Sequence, residues 1–123
     1  MQDFKKLAVW QKGHDLSLST YKLTSLFPKS ELFGLTAQVR RCVGSITANI
    51  AEGCGRGSDA DFSRFIQIAI GSSCELECHF ILARDLQLIK INEYNQIYLQ
   101  LNEVRKMLIA LNQRLKTSIK HKA

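Results

Sequence analysis

The chain has 123 residues, 46% of them hydrophobic and 23% charged, with a formal net charge of +6. That length suits one domain with its own core, and the mixture is too apolar for intrinsic disorder. One proline and seven glycines, three of them clustered at Gly53, Gly55 and Gly57, are too few breakers for a fold of many short strands.

Residues 7–27 carry Val9, Leu16, Leu23 and Phe27 on one stripe, with Trp10, Leu18 and Tyr21 beside it, the repeat of an amphipathic helix. Pro28 ends it, because proline restricts Phe27 and cannot continue the ladder. Over 32–52, Leu35, Val39, Cys42, Ile46 and Ile50 recur every three or four positions. Gly53 is expected to end that helix through a positive φ. Ser58, with Asp61 three residues on, reads as the N-cap of a third helix over 58–88. Its apolar positions include Phe62, Phe65, Ile66, Ala69, Leu76, Phe80, Ala83 and Leu86, and Gly71-Ser72-Ser73 within it reads as close helix packing, not a break. A fourth helix, 92–118, shows the seam Ile97, Leu101, Val104, Leu108, Leu111 and Leu115, whose alternating steps of four and three mark left-handed packing. No segment sustains period-two alternation. The expected fold is all-α, an antiparallel up-down-up-down four-helix bundle forming a single domain over 1–123.

Several motifs resemble those of the 23S rRNA intervening-sequence protein family. They are Leu-Ala-Val-Trp-Gln-Lys at 7–12, Phe-Pro-Lys-Ser-Glu-Leu-Phe-Gly-Leu-Thr at 27–36, Arg40-Arg41, and above all Ala-Asn-Ile-Ala-Glu-Gly at 48–53 followed by Gly55-Arg56. The likeness runs from about Phe4 to Leu88, and the last helix matches in pattern only. It implies a four-helix bundle assembling as a ring, a homopentamer, in a family with no settled molecular activity and no catalytic residues to carry over. Two features depart from the family: Thr47 stands where it usually has proline, and Cys42 and Cys54 replace small or apolar residues.

The opening residues lack the apolar run of a secretion signal and no later stretch reads as a membrane span, so the chain is expected to be cytoplasmic, without a membrane role. Cys42, Cys54, Cys74 and Cys78 are then expected as free thiols. Cys74 and Cys78 lie one helical turn apart, where Cβ atoms are about 5–6 Å from each other, too far for a disulfide. A zinc site needs converging ligands, and His14, His79 and His121 are scattered, so no metal and no cofactor is expected. Glu75 and Glu77, two apart, point away from each other and make no acid/base pair. Glu52, beside the helix end at Gly53, is expected to pair with Arg56 or Arg64. Asn49, near the buried stripe, is expected as a polar contact between helices or subunits. The glycine cluster before Ser58 lacks the lysine of a P-loop and follows a helix, so it reads as a tight turn. No nucleophile–base pair is visible, and the expectation is a non-enzymatic protein.

Alternating helix directions would bring the chain start, the 53–58 turn and the chain end to one pole. Nine basic side chains, Lys5, Lys6, Lys12, Arg56, Arg64, Arg114, Lys116, Lys120 and Lys122, then face four acids, Asp3, Glu52, Asp59 and Asp61, an excess of five positive charges out of the net +6. A ring of five copies would present roughly +25 on one face, enough to attract RNA or DNA without reading sequence. The competing expectation is a scaffold for a protein partner, with Arg40 and Arg41 at the interface. Ile68, Ile70, Ile81, Ile89, Met107 and Ile109 lie outside a single stripe, which favours a homo-oligomer.

Overall fold

A computed structural model describes residues 2–122. Four helices, α1 (Ala8–Thr24), α2 (Leu35–Cys54), α3 (Asp59–Asp85) and α4 (Ile91–Lys122), account for the architecture, with one-turn 3-10 helices at Phe4–Lys6 and Lys29–Glu31 and no strand among the described residues. At 1.5 Å per residue α1 is about 25 Å long and α4 about 48 Å, so α3 and α4 outreach the first pair. Each helix packs on its sequence neighbours, α1 also packs on α4, and the diagonal pairs stay apart, giving a square bundle.

Cross-helix contacts fix every direction. Arg40 reaches back to Thr24 while Thr47 lies against Gly13, so α1 and α2 run oppositely. Ser45 meets Ser72, and Gly53 meets Phe62. Ser63 bonds Asn112, Glu77 bonds Arg105, and Arg84 covers the Tyr94 ring, setting the register of α3 on α4. The bundle is up-down-up-down. Its core runs through all four helices, with Leu16, Val39, Ile46, Ile50, Ile66, Leu76, Leu101 and Leu108 fully buried, and every residue of the α4 seam is buried.

The helix ends differ from the sequence expectation for local physical reasons. α1 stops at Thr24, not residue 27, because the last turn tightens: Leu26 N–H donates to Leu23 and Phe27 N–H to Thr24 before Pro28. α2 begins at Leu35, not 32, where the Glu31 carboxylate accepts from the Leu35 N–H at 3.3 Å. The Ser58 hydroxyl does cap α3, accepting from the Asp61 N–H at 3.1 Å. α3 ends at Asp85, three residues short of 88, in a Schellman turn: Leu88 N–H donates to Ala83 and Gln87 N–H to Arg84, with Gln87 at φ 61° where glycine is usual. α4 runs on past 118 to Lys122.

Three expectations are corrected. Gly53 does not leave α2 through a positive φ; it is helical, and a Cβ there would come within 2.7 Å of the Phe62 ring, so its smallness lets α3 approach. A Cβ at Gly71 would meet nothing within 4 Å, and the close packing within its motif belongs to buried Ser73 and to Ser72, whose hydroxyl is 2.8 Å from that of Ser45. Ile89 is buried, whereas Ile68 and Ile109 are exposed and Ile70, Ile81 and Met107 half-buried. In addition α3, by length and composition alone, is apolar enough to cross a membrane, although its apolar face packs between α2 and α4.

Candidate nucleic-acid interface

The pole that receives the chain start, the α2–α3 turn and the end of α4 is tied together by short polar contacts. The Asp59 carboxylate, at the first residue of α3, accepts from the Ser118 hydroxyl at 2.7 Å and from Lys122 Nζ at 3.2 Å. These two donors, Ser118 first, hold its carboxyl below the ordinary 3.8, and the positive end of α3 favours the same charge. Leu7 and Ala8 line one shallow groove with Met107 and Arg114, joining the chain start to α4.

The basic residues divide into two groups there. Lys5 pairs with Asp3 at 3.9 Å, Arg56 with Glu52 at 3.0 Å, Arg64 with Asp61 at 3.7 Å and Lys122 with Asp59. Arg56 and Arg64 also flank Phe65, their guanidinium carbons 4.8 and 4.7 Å from the ring centre. Lys12 sits higher on α1 and pairs across to Glu103 of α4 at 3.5 Å. Counting Glu103 gives nine cations against five acids, an excess of four in place of five. Lys6, Arg114, Lys116 and Lys120 are exposed and make no ion pair among the described residues. All the paired groups are about a third exposed or more, so each pair is weak and screened by salt.

An aromatic group lies at the start of the chain and on the first turns of α1. Trp10 and His14 stack with centroids 5.0 Å apart and planes 11° from parallel, and Phe4 meets Trp10 edge-on. His14 is exposed, and its i,i+4 spacing from Trp10 is the signal that could have revealed the stack.

Arg40 and Arg41 are engaged within the chain. Arg40 lies over the Tyr21 ring and donates to Thr24 Oγ1 at 3.0 Å, fastening α2 to the end of α1. Arg41 bridges to Glu75 of α3. Asn49 is half-buried and donates to the Ser45 carbonyl and hydroxyl of its own helix, so it reaches α3 only through the Ser45–Ser72 contact. A buried polar contact between helices runs instead from the Ser63 hydroxyl to Asn112 Oδ1, 2.6 Å, at two positions that no sequence pattern marks.

Glu75 and Glu77 turn to opposite neighbours, Glu75 to Arg41 and Glu77 to Arg105. Beside Glu75 lie Cys42 and His79, whose ligand atoms with a Glu75 oxygen are within 4.8 Å of one another. The Cys42 thiol, His79 ring and Arg41 guanidinium hold the Glu75 carboxyl down at about 2. Burial, with the Glu75 carboxylate, pushes the Cys42 thiol up to about 12. Burial raises Cys54 as well. All four thiols are free, Cys42 and Cys54 buried, Cys74 and Cys78 exposed.

A family model described as 23S rRNA-intervening sequence protein matches residues 5–110. No curated protein matches the chain. Among solved structures it is similar to a protein of unknown function from the S23 ribosomal protein family of Bacteroides thetaiotaomicron, with 26% identity and a TM-score of 0.80 over 85% of this chain and 98% of that one.

Proposed function

From the premise that the chain belongs to the 23S rRNA-intervening sequence protein family, we propose that it is a non-enzymatic, cytoplasmic, homo-oligomeric bundle that binds RNA or DNA without sequence preference through its basic pole. A ring of identical copies, five on the family likeness, would turn all these poles to one face, because rotation about a single axis preserves direction. The observation that carries the reading is that Lys6, Arg114, Lys116 and Lys120, all exposed and without an ion pair among the described residues, lie on segments that the topology brings to one pole, with the Trp10–His14 stack on the first turns of α1. Lysine and arginine neutralise phosphates and release counterions, and exposed aromatic faces accept unstacked bases. Base-edge specificity would need a groove-reading element, and the pole offers none among the described residues; binding by charge and stacking follows.

Titrating a mixed-sequence single-stranded RNA at several salt concentrations tests this. The logarithm of affinity should fall linearly with log salt, with a slope of about 0.7 for each phosphate neutralised. Affinity that is flat across that range, or absent at low salt, refutes it. A second reading, a scaffold for a protein partner, draws on the opposite pole, where Leu26, Leu32 and Phe33 of the α1–α2 connection and Leu86 and Ile91 flanking the α3–α4 connection are exposed. Capture of a protein partner that survives nuclease and is lost on changing Phe33 favours it.

A further inference from the structure

The α2–α3 interface holds a group of side chains for which the basic pole has no use. Cys42 Sγ on α2 and, on α3, a Glu75 carboxylate oxygen and a His79 ring nitrogen lie mutually within 4.8 Å. Glu75 and His79 are one helical turn apart, so both leave α3 on the same face, with His79 Nε2 3.2 Å from Glu75 Oε2. Cys42 is fully buried beside them. Thiolate, imidazole and carboxylate together are the donor set of zinc and its neighbours, whereas calcium and magnesium take oxygen alone. From this juxtaposition we propose that Cys42, Glu75 and His79 form a three-ligand site for a zinc-class divalent cation, which clamps α2 to α3 and keeps water in its fourth position.

Charge balances in both states. Without the ion, the Glu75 carboxylate faces the Arg41 guanidinium and the Cys42 thiol keeps its proton. As the sulfur–metal bond forms, Cys42 gives that proton to solvent and Arg41 moves off, so the ion's two positive charges replace one proton and one guanidinium. Arg41 has a resting place ready. Its Nε and Nη2 already donate to Gln38 Oε1 at 3.1 and 2.9 Å, and its side chain is 56% exposed. Bonds of roughly 2.0–2.3 Å place tetrahedral zinc ligands about 3.3–3.8 Å apart, so atoms that lie within 4.8 Å of one another need to close by no more than roughly 1–1.5 Å. Glu75, 44% exposed, has the torsional freedom to do it. Arg41 is therefore the competitor of the ion, not its ligand.

The full chain carrying Cys74→Ser and Cys78→Ser, which removes both exposed thiols, is stripped with chelator and titrated with Co²⁺ and then Zn²⁺. One equivalent of cobalt should produce a thiolate-to-metal charge-transfer band and the visible absorption of a four-coordinate ion, both displaced by zinc. Cys42→Ser should abolish the charge-transfer band, and His79→Gln should weaken binding by about tenfold or more. Arg41→Gln should tighten it by about tenfold, because the competing cation is gone. That arm separates a metal site from a purely structural rung, in which losing Arg41 does nothing for cobalt. Arg41 is at the surface, so its variant tests the idea even where a Cys42 substitution upsets folding. A parent without a saturable band, a band that survives Cys42→Ser, or an Arg41→Gln affinity no higher than the parent's would overturn the proposal.

Discussion

The two poles of the bundle obey one topological rule and reach opposite chemistries. Alternating helices bring distant segments together at each end. At the pole of the chain start this collects lysines and arginines, five of them held by Asp3, Glu52, Asp59, Asp61 and Glu103. At the other pole it collects the connections, with Phe33 92% and Leu26 70% exposed. Salt screens the first kind of surface and leaves the second almost untouched. The contrast also shows that counting charges by pole overstates their freedom: Lys12 spends its charge on Glu103, and only part of the cationic set is open to a partner.

The largest expected effect exploits that contrast. Reversing the open cations in a Lys6→Glu, Arg114→Glu, Lys116→Glu, Lys120→Glu variant should weaken single-stranded RNA binding by more than about 100-fold at low salt and flatten its salt slope by about 3. Phe33→Ser with Leu26→Ser at the opposite pole should leave both quantities unchanged. Equal losses from the two variants would erase the distinction between the poles and with it the charge-based reading.

How far the sequence reached follows the same division between what is local and what needs register. The helices were legible because Pro28 and Ser58 act on their own neighbours and the α4 seam repeats within one element. So was the common basic pole, which needs only alternating directions. Lys12–Glu103 and the Cys42–Glu75–His79 group were not, because each depends on the longitudinal register of two helices, which no single helix encodes. Gly53 was misread for another reason: a glycine needed for close approach and one needed for positive φ look alike next to a helix end.

That ambiguity can be measured. Gly53→Ala should destabilise the bundle by about 1–3 kcal/mol, since the added methyl meets the Phe62 ring at 2.7 Å and Phe65 Cβ at 3.1 Å. Gly71→Ala, mid-helix with nothing within 4 Å, should stabilise it by up to about 1 kcal/mol. Denaturant midpoints of the two variants should move in opposite directions. The Gly53 change also loosens the turn that presents Arg56, so its RNA affinity should fall modestly where that of Gly71→Ala does not.

The smallest effect concerns Asp59, the acid that fastens the end of α4 to the start of α3. Its folded-state carboxyl lies below the ordinary 3.8, chiefly through Ser118 and then Lys122, so its contribution to folding is present above that value and is lost as pH falls through the folded value. Asp59→Asn should therefore lower the thermal midpoint slightly at neutral pH, and the gap from the parent chain should close below about pH 3.8. The same substitution releases Lys122 and removes one negative charge from the basic pole, so RNA should bind somewhat more tightly and with a slightly steeper salt slope. Opposite signs in stability and affinity are what an acid in that place must give: it steadies the pole and, by the same contact, withholds one of its cations. A gap independent of pH, or a fall in RNA affinity, would mean that Asp59 serves neither purpose.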